Sequence, residues 1–121
     1  MRSGWIGVDL DGTLAAIYPG EWDGSSIGAP VPAMLDRVKR WLEEGCNVRI
    51  MTARVAVVDW QGVAEAARQR KLIEDWCYEH LGYFLEITAT KDYTMVALWD
   101  DRAVQVEPNT GRRMDGAEEG T

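Results

Sequence analysis

Four short apolar runs in this chain are each followed by polar residues that can do chemistry. In chain order these are Asp9 with Asp11, then Thr52, then Lys91, then Asp100 with Asp101. If these carboxylates meet at one place they repel one another, so they need a cation beside them. A lysine and a divalent metal would supply it, and an all-oxygen donor set favours a hard ion such as Mg²⁺.

The same residue types suit phosphoryl transfer, which depends on positioning and on neutralising the charge of the phosphoryl oxygens. An aspartate such as Asp9 can attack phosphorus to form an acyl phosphate that water later cleaves. A second carboxylate two residues on, Asp11, can protonate the leaving oxygen and afterwards activate that water.

The elements that must position these residues follow from hydropathy patterns and turn residues. Strands are predicted over 5–10, 47–52, 83–88 and 95–99, helices over 33–44 and about 63–81, and an edge strand at Val104 and Val106. This alternation predicts an α/β fold, a Rossmann-like three-layer sandwich with a mostly parallel sheet covered on both faces. Ligands of such folds bind at the carboxyl ends of the strands, where all the polar residues above fall. Four tryptophans are predicted to be core residues, namely Trp5, Trp41, Trp76 and Trp99.

Length and composition fit one soluble domain over 1–110, followed by a polar, loose tail over 111–121, in a chain of 121 residues. No apolar run approaches the roughly 18 residues of a membrane span, and the N-terminus is too polar for a signal peptide. A net charge of -7 provides no global positive field for nucleic acid. Cys46 and Cys77 lack metal-type spacing and are predicted to be buried free thiols of a cytoplasmic protein.

These motifs carry a family resemblance. Asp9-Leu10-Asp11-Gly12-Thr13 after an apolar strand resembles the first motif of the haloacid dehalogenase superfamily of phosphatases. Thr52 in Ile50-Met51-Thr52-Ala53-Arg54 is similar to the second motif, Lys91 to the third and Asp100-Asp101 to the fourth. The match covers roughly 5 to 106, with the four motifs in order on the expected strand ends.

The resemblance implies a role for each motif residue in a Mg²⁺-dependent phosphohydrolase. Asp9 would be the nucleophile and a metal ligand, and Asp11 the general acid and base that lends its backbone carbonyl to the metal. Thr52 would bind the phosphoryl oxygens, while Lys91 would steady Asp9 and the phosphate charge. Either Asp100 or Asp101 would be the direct metal ligand, with the other supporting the metal shell.

The substrate side is expected to involve Thr13, Thr52, Ala53, Arg54 and Trp22. Neither interval between motifs leaves room for the cap domain that many phosphatases of this family carry. The site is therefore expected to be open to a large substrate, or closed by an oligomer partner. Arg54 resembles the arginine in the phosphatase domain of polynucleotide kinase-phosphatases and in some nucleotidases, which favours a nucleotide or a polynucleotide end as substrate.

Several alternatives remain open on sequence. Arg54 would either hold a second phosphate or pair with Asp59 or another acid, and Trp22 would either stack on a base or pack on its own loop. Dehalogenases of the superfamily lack the second aspartate of the first motif, so Asp11 argues against them. Response-regulator receivers place their acids in a different order. The remaining alternative is a non-catalytic regulatory or partner protein that binds phosphate or metal.

Overall fold

A computed structural model describes residues 3–17 and 20–117 of the chain. The strands are β1 (Trp5–Asp9), β2 (Asn47–Met51), β3 (Glu86–Thr88) and β4 (Met95–Trp99), and the helices are α1 (Pro32–Glu43) and α2 (Val63–Leu81). All strand pairs are parallel and the sheet order is β3-β2-β1-β4. The predicted α/β class and parallel sheet are confirmed, and the helix and strand bounds agree with the sequence to within a few residues.

Both helices pack on the same face of the sheet. Alternate residues of the strands, among them Val8, Ile50 and Ile87, lie in one buried cluster with Val38 of α1 and Ile73 of α2. This arrangement follows from the strand order, because β1 to β2 and β2 to β3 move in the same direction and right-handed crossovers then place both helices on one side.

The opposite face is crossed by the short connection 89–94, which runs from β3 to the far edge strand β4. Asp92 in this connection accepts hydrogen bonds from Trp5 Nε1 (2.8 Å) and Arg49 Nη1 (3.3 Å). The Arg49 guanidinium also lies over the Trp5 ring, 4.5 Å from its centroid. Within the described residues the fold is thus a Rossmann-like sandwich whose second face carries a connection where a helical layer was expected.

Strand β4 is exposed along most of its length, in contrast to the buried strand that its apolar sequence predicts. Trp99 is 37% exposed and contacts Trp41, with ring centroids 5.3 Å apart, so the prediction that Trp99 is a core residue is wrong. Trp5 and Trp76 are buried as predicted, and Trp41 is partly buried against the core.

The C-terminal segment folds back on itself where a loose tail was expected. The predicted edge strand at Val104 and Val106 is reduced to an isolated antiparallel bridge between Val106 and Arg113. Backbone hydrogen bonds from Glu107 N to Arg112 O (2.6 Å) and from Met114 N to Gln105 O (2.9 Å) support it. Residues 118–121 of the predicted tail lie outside the described residues.

Two further predictions about the chain concern the membrane and the cysteines. Among the described residues, no helix has both the length and the apolar character needed to cross a membrane. Both cysteines are free thiols, as predicted, but only Cys77 is buried, because Cys46 lies half-exposed at the turn after α1.

Candidate functional site

The turn after β1 brings Asp9, Thr13 and Asp101 together. Leu14 N and Ala15 N both donate to Leu10 O, at 3.0 and 2.9 Å, and close the chain into a tight loop. Gly12 has a φ of +91° in this loop, and a Cβ on it would lie 2.5 Å from Asp101 Oδ2. Glycine is required here both by the backbone conformation and by the close approach of Asp101.

Asp9, Asp100 and Asp101 form an acidic cluster at the carboxyl ends of β1 and β4. Each offers a carboxylate oxygen, and these oxygens all lie within 4.8 Å of one another. The Thr13 hydroxyl is 3.3 Å from Asp9 Oδ2 and 3.2 Å from Asp101 Oδ1, and it accepts a hydrogen bond from Asp101 N at 3.0 Å. A hydroxyl has one proton, so Thr13 can satisfy only one of the two carboxylates at a time.

This crowding changes the acidity of Asp9. Burial first, and then the hydrogen bond with Asp101 and the charges of Asp100 and Asp101, raise the pKa of Asp9 to about 7, against the lowering effect of Thr13. Within the described residues, no positively charged group is among the causes that set the pKa of Asp9. An all-oxygen cluster of this kind fits a hard divalent cation such as Mg²⁺.

Asp11 is not part of this cluster and is held by Arg54. The pair is bidentate, with Arg54 Nη2 donating to Asp11 Oδ1 at 2.7 Å and Arg54 Nε donating to Asp11 Oδ2 at 2.8 Å. The Arg54 side chain is 8% exposed and that of Asp11 is 32% exposed. Of the two alternatives for Arg54, the structure shows pairing with an acid, but the partner is Asp11 and not Asp59.

Arg54 is further committed by contacts to the loop and to α2. Its Nη2 donates to Ser26 O at 2.8 Å and its Nη1 to Gln69 Oε1 at 3.3 Å, while its guanidinium lies 4.7 Å from the centroid of the Trp22 ring. These contacts use most of its five N–H groups. Arg54 is thus a fixed part of the site wall.

Thr52 and Ala53 continue the site at the end of β2. Thr52 is 4% exposed, its N donates to Thr88 O at 2.9 Å, and its Oγ1 accepts from Arg54 N at 3.2 Å. These bonds make Thr52 the N-cap of a short 3₁₀ helix, Ala53–Val55. The hydroxyl group is therefore held at the carboxyl edge of the sheet, as its position in the sequence predicts.

We name the depression at this edge the acidic cleft; its volume is about 430 Å³. Its walls include four predicted site residues from strand ends and two from the start of the 3₁₀ helix: Asp9, Asp11, Thr52, Asp100, Ala53 and Arg54. Thr13 and Asp101 support this cleft through their hydrogen bonds to each other and to Asp9. The structure thus gathers most of the predicted residues around one small volume.

Lys91 is not among the residues that the structure brings to the acidic cleft. It is exposed, does not line the acidic cleft, and has no ion pair within the described part of the chain. Its neighbour two residues earlier, Ala89, does line the cleft. The backbone of Lys91 is therefore within about 8 Å of the Ala89 Cα, since consecutive Cα atoms are about 3.8 Å apart.

A second depression, the loop cleft, adjoins the acidic cleft and measures about 750 Å³. It lies between the loop 20–29 and the residues Asp11, Arg54 and Arg102, which line both clefts. Trp22, 57% exposed, forms part of its wall and donates from Nε1 to Ser26 O at 3.3 Å. Tyr18 and Pro19, which precede this loop, lie outside the described residues.

Sequence reasoning missed two contributors to this site. Arg102 lines both clefts, and its position directly after Asp100-Asp101 at a strand end was an available signal. Gln69 is 1% exposed on α2, and it donates to Gly24 O at 2.7 Å and thereby fixes the loop. No local pattern marks Gln69, because its partners come from the distant loop.

The comparisons with known proteins found no matching family model, no matching curated protein and no matching solved structure.

Proposed function

We propose that this chain is a Mg²⁺-dependent phosphomonoesterase of the haloacid dehalogenase type, acting through an aspartyl phosphate on Asp9. The observation that carries the proposal is the meeting of Asp9, Asp100 and Thr52 around the acidic cleft at the carboxyl edge of a parallel sheet, with Asp101 clustered beside Asp9 and Asp100. A nucleophilic carboxylate, a hydroxyl donor and a cation-binding cluster are the parts that phosphoryl transfer requires.

Asp9, Asp100 and Asp101 would hold Mg²⁺, as their oxygen atoms are close enough to share one ion. When bound, the ion would neutralise negative charge on the carboxylates and on the phosphoryl oxygens. Burial, and then the neighbouring Asp101 and Asp100, raise the pKa of Asp9. This fits the assignment, since a bound cation would favour the ionised form of Asp9.

In the proposed first step, a carboxylate oxygen of Asp9 attacks phosphorus as the bond from phosphorus to the leaving oxygen breaks. The Thr52 hydroxyl, fixed at the end of β2, donates to a phosphoryl oxygen. Asp11, in its acid form, protonates the leaving oxygen. It would carry this proton at an oxygen position that the two hydrogen bonds from Arg54 leave open.

In the second step, water attacks the phosphorus of the aspartyl phosphate, and the bond to Asp9 breaks. Asp11 takes the proton of that water, which returns it to the acid form for the next turnover. Arg54 is a positioning residue in this scheme, because its bidentate pair fixes the direction of the Asp11 carboxylate.

Lys91 keeps the role of steadying the Asp9 charge in the proposal. Lys91 lies two residues beyond Ala89, which lines the acidic cleft, so its side chain is long enough to extend toward the cleft. Replacement by methionine, Lys91→Met, tests this role directly, since it keeps the length of the side chain and removes the charge.

The test of the function is phosphate release from nucleoside monophosphates, phosphorylated oligonucleotides, sugar phosphates and an aryl phosphate, with Mg²⁺ and with EDTA. We expect release with Mg²⁺, loss of release in EDTA, and a loss of at least about 10³-fold in Asp9→Asn. Asp36→Asn is the matched control, because Asp36 is an exposed acid on α1 away from the site. Equal release by wild type and Asp9→Asn would contradict the proposal.

A second candidate is a non-catalytic phosphate- or metal-binding protein of the same fold. The position of Lys91 outside the acidic cleft is the observation that favours it. Mg²⁺ or phosphate binding by folded wild-type protein, without release from any substrate, would select this alternative.

A further inference from the structure

The loop cleft has the dimensions of a small-molecule site. Its volume of about 750 Å³ lies within the range of about 300–1,000 Å³ typical of ligand pockets. Ile17, Ile27 and Trp22 give it apolar and aromatic walls, and it opens onto the acidic cleft at Asp11 and Arg102. A leaving group attached to a phosphate in the acidic cleft would enter this volume.

Most basic side chains near the loop cleft are already occupied. Arg54 binds Asp11, Ser26 O and Gln69. Arg68 binds Glu65 at 2.8 Å and also donates to Ser25 Oγ and Gly24 O. These guanidinium groups hold the loop in place and are not available to a substrate phosphate without breaking those bonds.

Arg102 differs from both. It is exposed, lines both clefts, and its guanidinium has no ion pair within the described residues. Its backbone N donates to Asp100 Oδ1 at 2.7 Å, which anchors the residue to the acidic cluster while the side chain remains at the junction of the clefts. A guanidinium at this position matches a phosphate oxygen in charge and in hydrogen-bonding geometry.

The charge around the loop cleft also limits the size of the ligand. A polynucleotide end needs several phosphate contacts along the strand to offset its charge. Here Glu21 and Asp23 line the same cleft, and the whole chain carries a net charge of -7. One uncommitted arginine in such surroundings suits a ligand with a single phosphate.

We propose, resting on the phosphatase function above, that the substrate is a nucleoside monophosphate and not a nucleic-acid end. Arg102 binds its phosphate at the junction of the two clefts, and its base occupies the loop cleft against Trp22. The exposed ring of Trp22, supported from one side by the Arg54 guanidinium, provides the stacking surface for the base.

The test is calorimetric binding of AMP, ribose 5-phosphate and a 5′-phosphorylated tetranucleotide to the Asp9→Asn protein with Mg²⁺, where turnover is blocked. We expect AMP to bind more tightly than the other two ligands. Adding Arg102→Met should weaken AMP binding by about tenfold or more, the loss typical of a charge-assisted hydrogen bond. Adding Trp22→Ala should weaken AMP and leave ribose 5-phosphate unchanged, and adding Lys39→Met, on the exposed face of α1, should change nothing.

Two results would overturn this inference: AMP binding that is unaffected by Arg102→Met, or a tetranucleotide that binds more tightly than AMP. Failure of the phosphatase function is seen separately. Arg102-dependent AMP binding without AMP release by the wild-type protein would contradict the function and keep the binding assignment. Phosphate release by the wild-type protein, with no preference for AMP over the other substrates, would keep the phosphatase function and contradict the binding assignment.

Discussion

At the scale of single residues, the defining feature of the site is Asp9, whose carboxylate has few neighbours that favour its ionised form. Asp9 lies beside Asp100 and Asp101, and its only hydroxyl partner among the described residues, Thr13, is shared with Asp101. Burial and these neighbours raise the pKa of Asp9 to about 7. An arrangement that disfavours the ionised acid in the metal-free protein is one that binding of a cation would relieve.

This predicts that Asp9→Asn is more stable than the wild type in EDTA at pH 8. A carboxyl group whose pKa is raised on folding destabilises the folded state as pH rises from its unfolded value of 3.8 to about 7, and the penalty is absent at lower pH. After allowance for solvent screening, we expect a gain of about 1 kcal/mol, or about 4 °C in melting temperature. Thermal unfolding of both proteins at pH 4 and pH 8 measures this difference. A lower melting temperature for Asp9→Asn than for the wild type at pH 8 would contradict the prediction.

At the scale of elements, the connection 89–94 does what a helix was expected to do, because it covers the second face of the sheet. It is fixed by Asp92, which accepts hydrogen bonds from Trp5 Nε1, Thr94 N and Thr94 Oγ1 at 2.8, 2.9 and 2.8 Å. The hydrogen bond from Trp5, followed by those from Thr94, lowers the pKa of Asp92 to about 2. The placement of Lys91, the adjacent residue, depends on this anchor.

The anchor predicts a pH dependence of stability. A carboxylate whose pKa is lowered on folding stabilises the protein above its unfolded value of 3.8, and this contribution is lost as pH falls toward about 2. Asp92→Asn should therefore be less stable than the wild type at pH 7, with the difference shrinking between pH 4 and pH 2. Urea unfolding across this range measures it, with Asp36→Asn as the control. A difference that stays constant with pH would show that the Asp92 charge is not involved.

At the scale of the whole molecule, the features that could be predicted from sequence are those set by local pattern. The periodicity of apolar residues located the helices and strands, and the rule for parallel sheets placed Asp9, Thr52 and Asp100 at one edge. The pairing of Asp11 with Arg54 could not be predicted, since the residues are 43 positions apart and other acids were equally available. The position of both helices on one face depends on the strand order, which periodicity does not reveal.

Strand β4 also shows that the local pattern of apolar residues does not reveal where a strand lies in the sheet. Its apolar sequence is typical of a buried strand, but it lies at the edge of the sheet, where Val96 remains 56% exposed. That an oligomer partner closes the open site remains a prediction. The exposed edge of β4 is one surface through which two copies of this chain could pair.

Rapid-quench labelling with a ³²P-phosphate substrate in the presence of Mg²⁺ tests for the aspartyl phosphate itself. We expect an acid-stable, hydroxylamine-sensitive phosphate on the protein, mapped to the peptide that contains Asp9 and absent from Asp9→Asn. Label on another residue, or phosphate release by wild-type protein with label that persists in Asp9→Asn, would contradict the proposed mechanism.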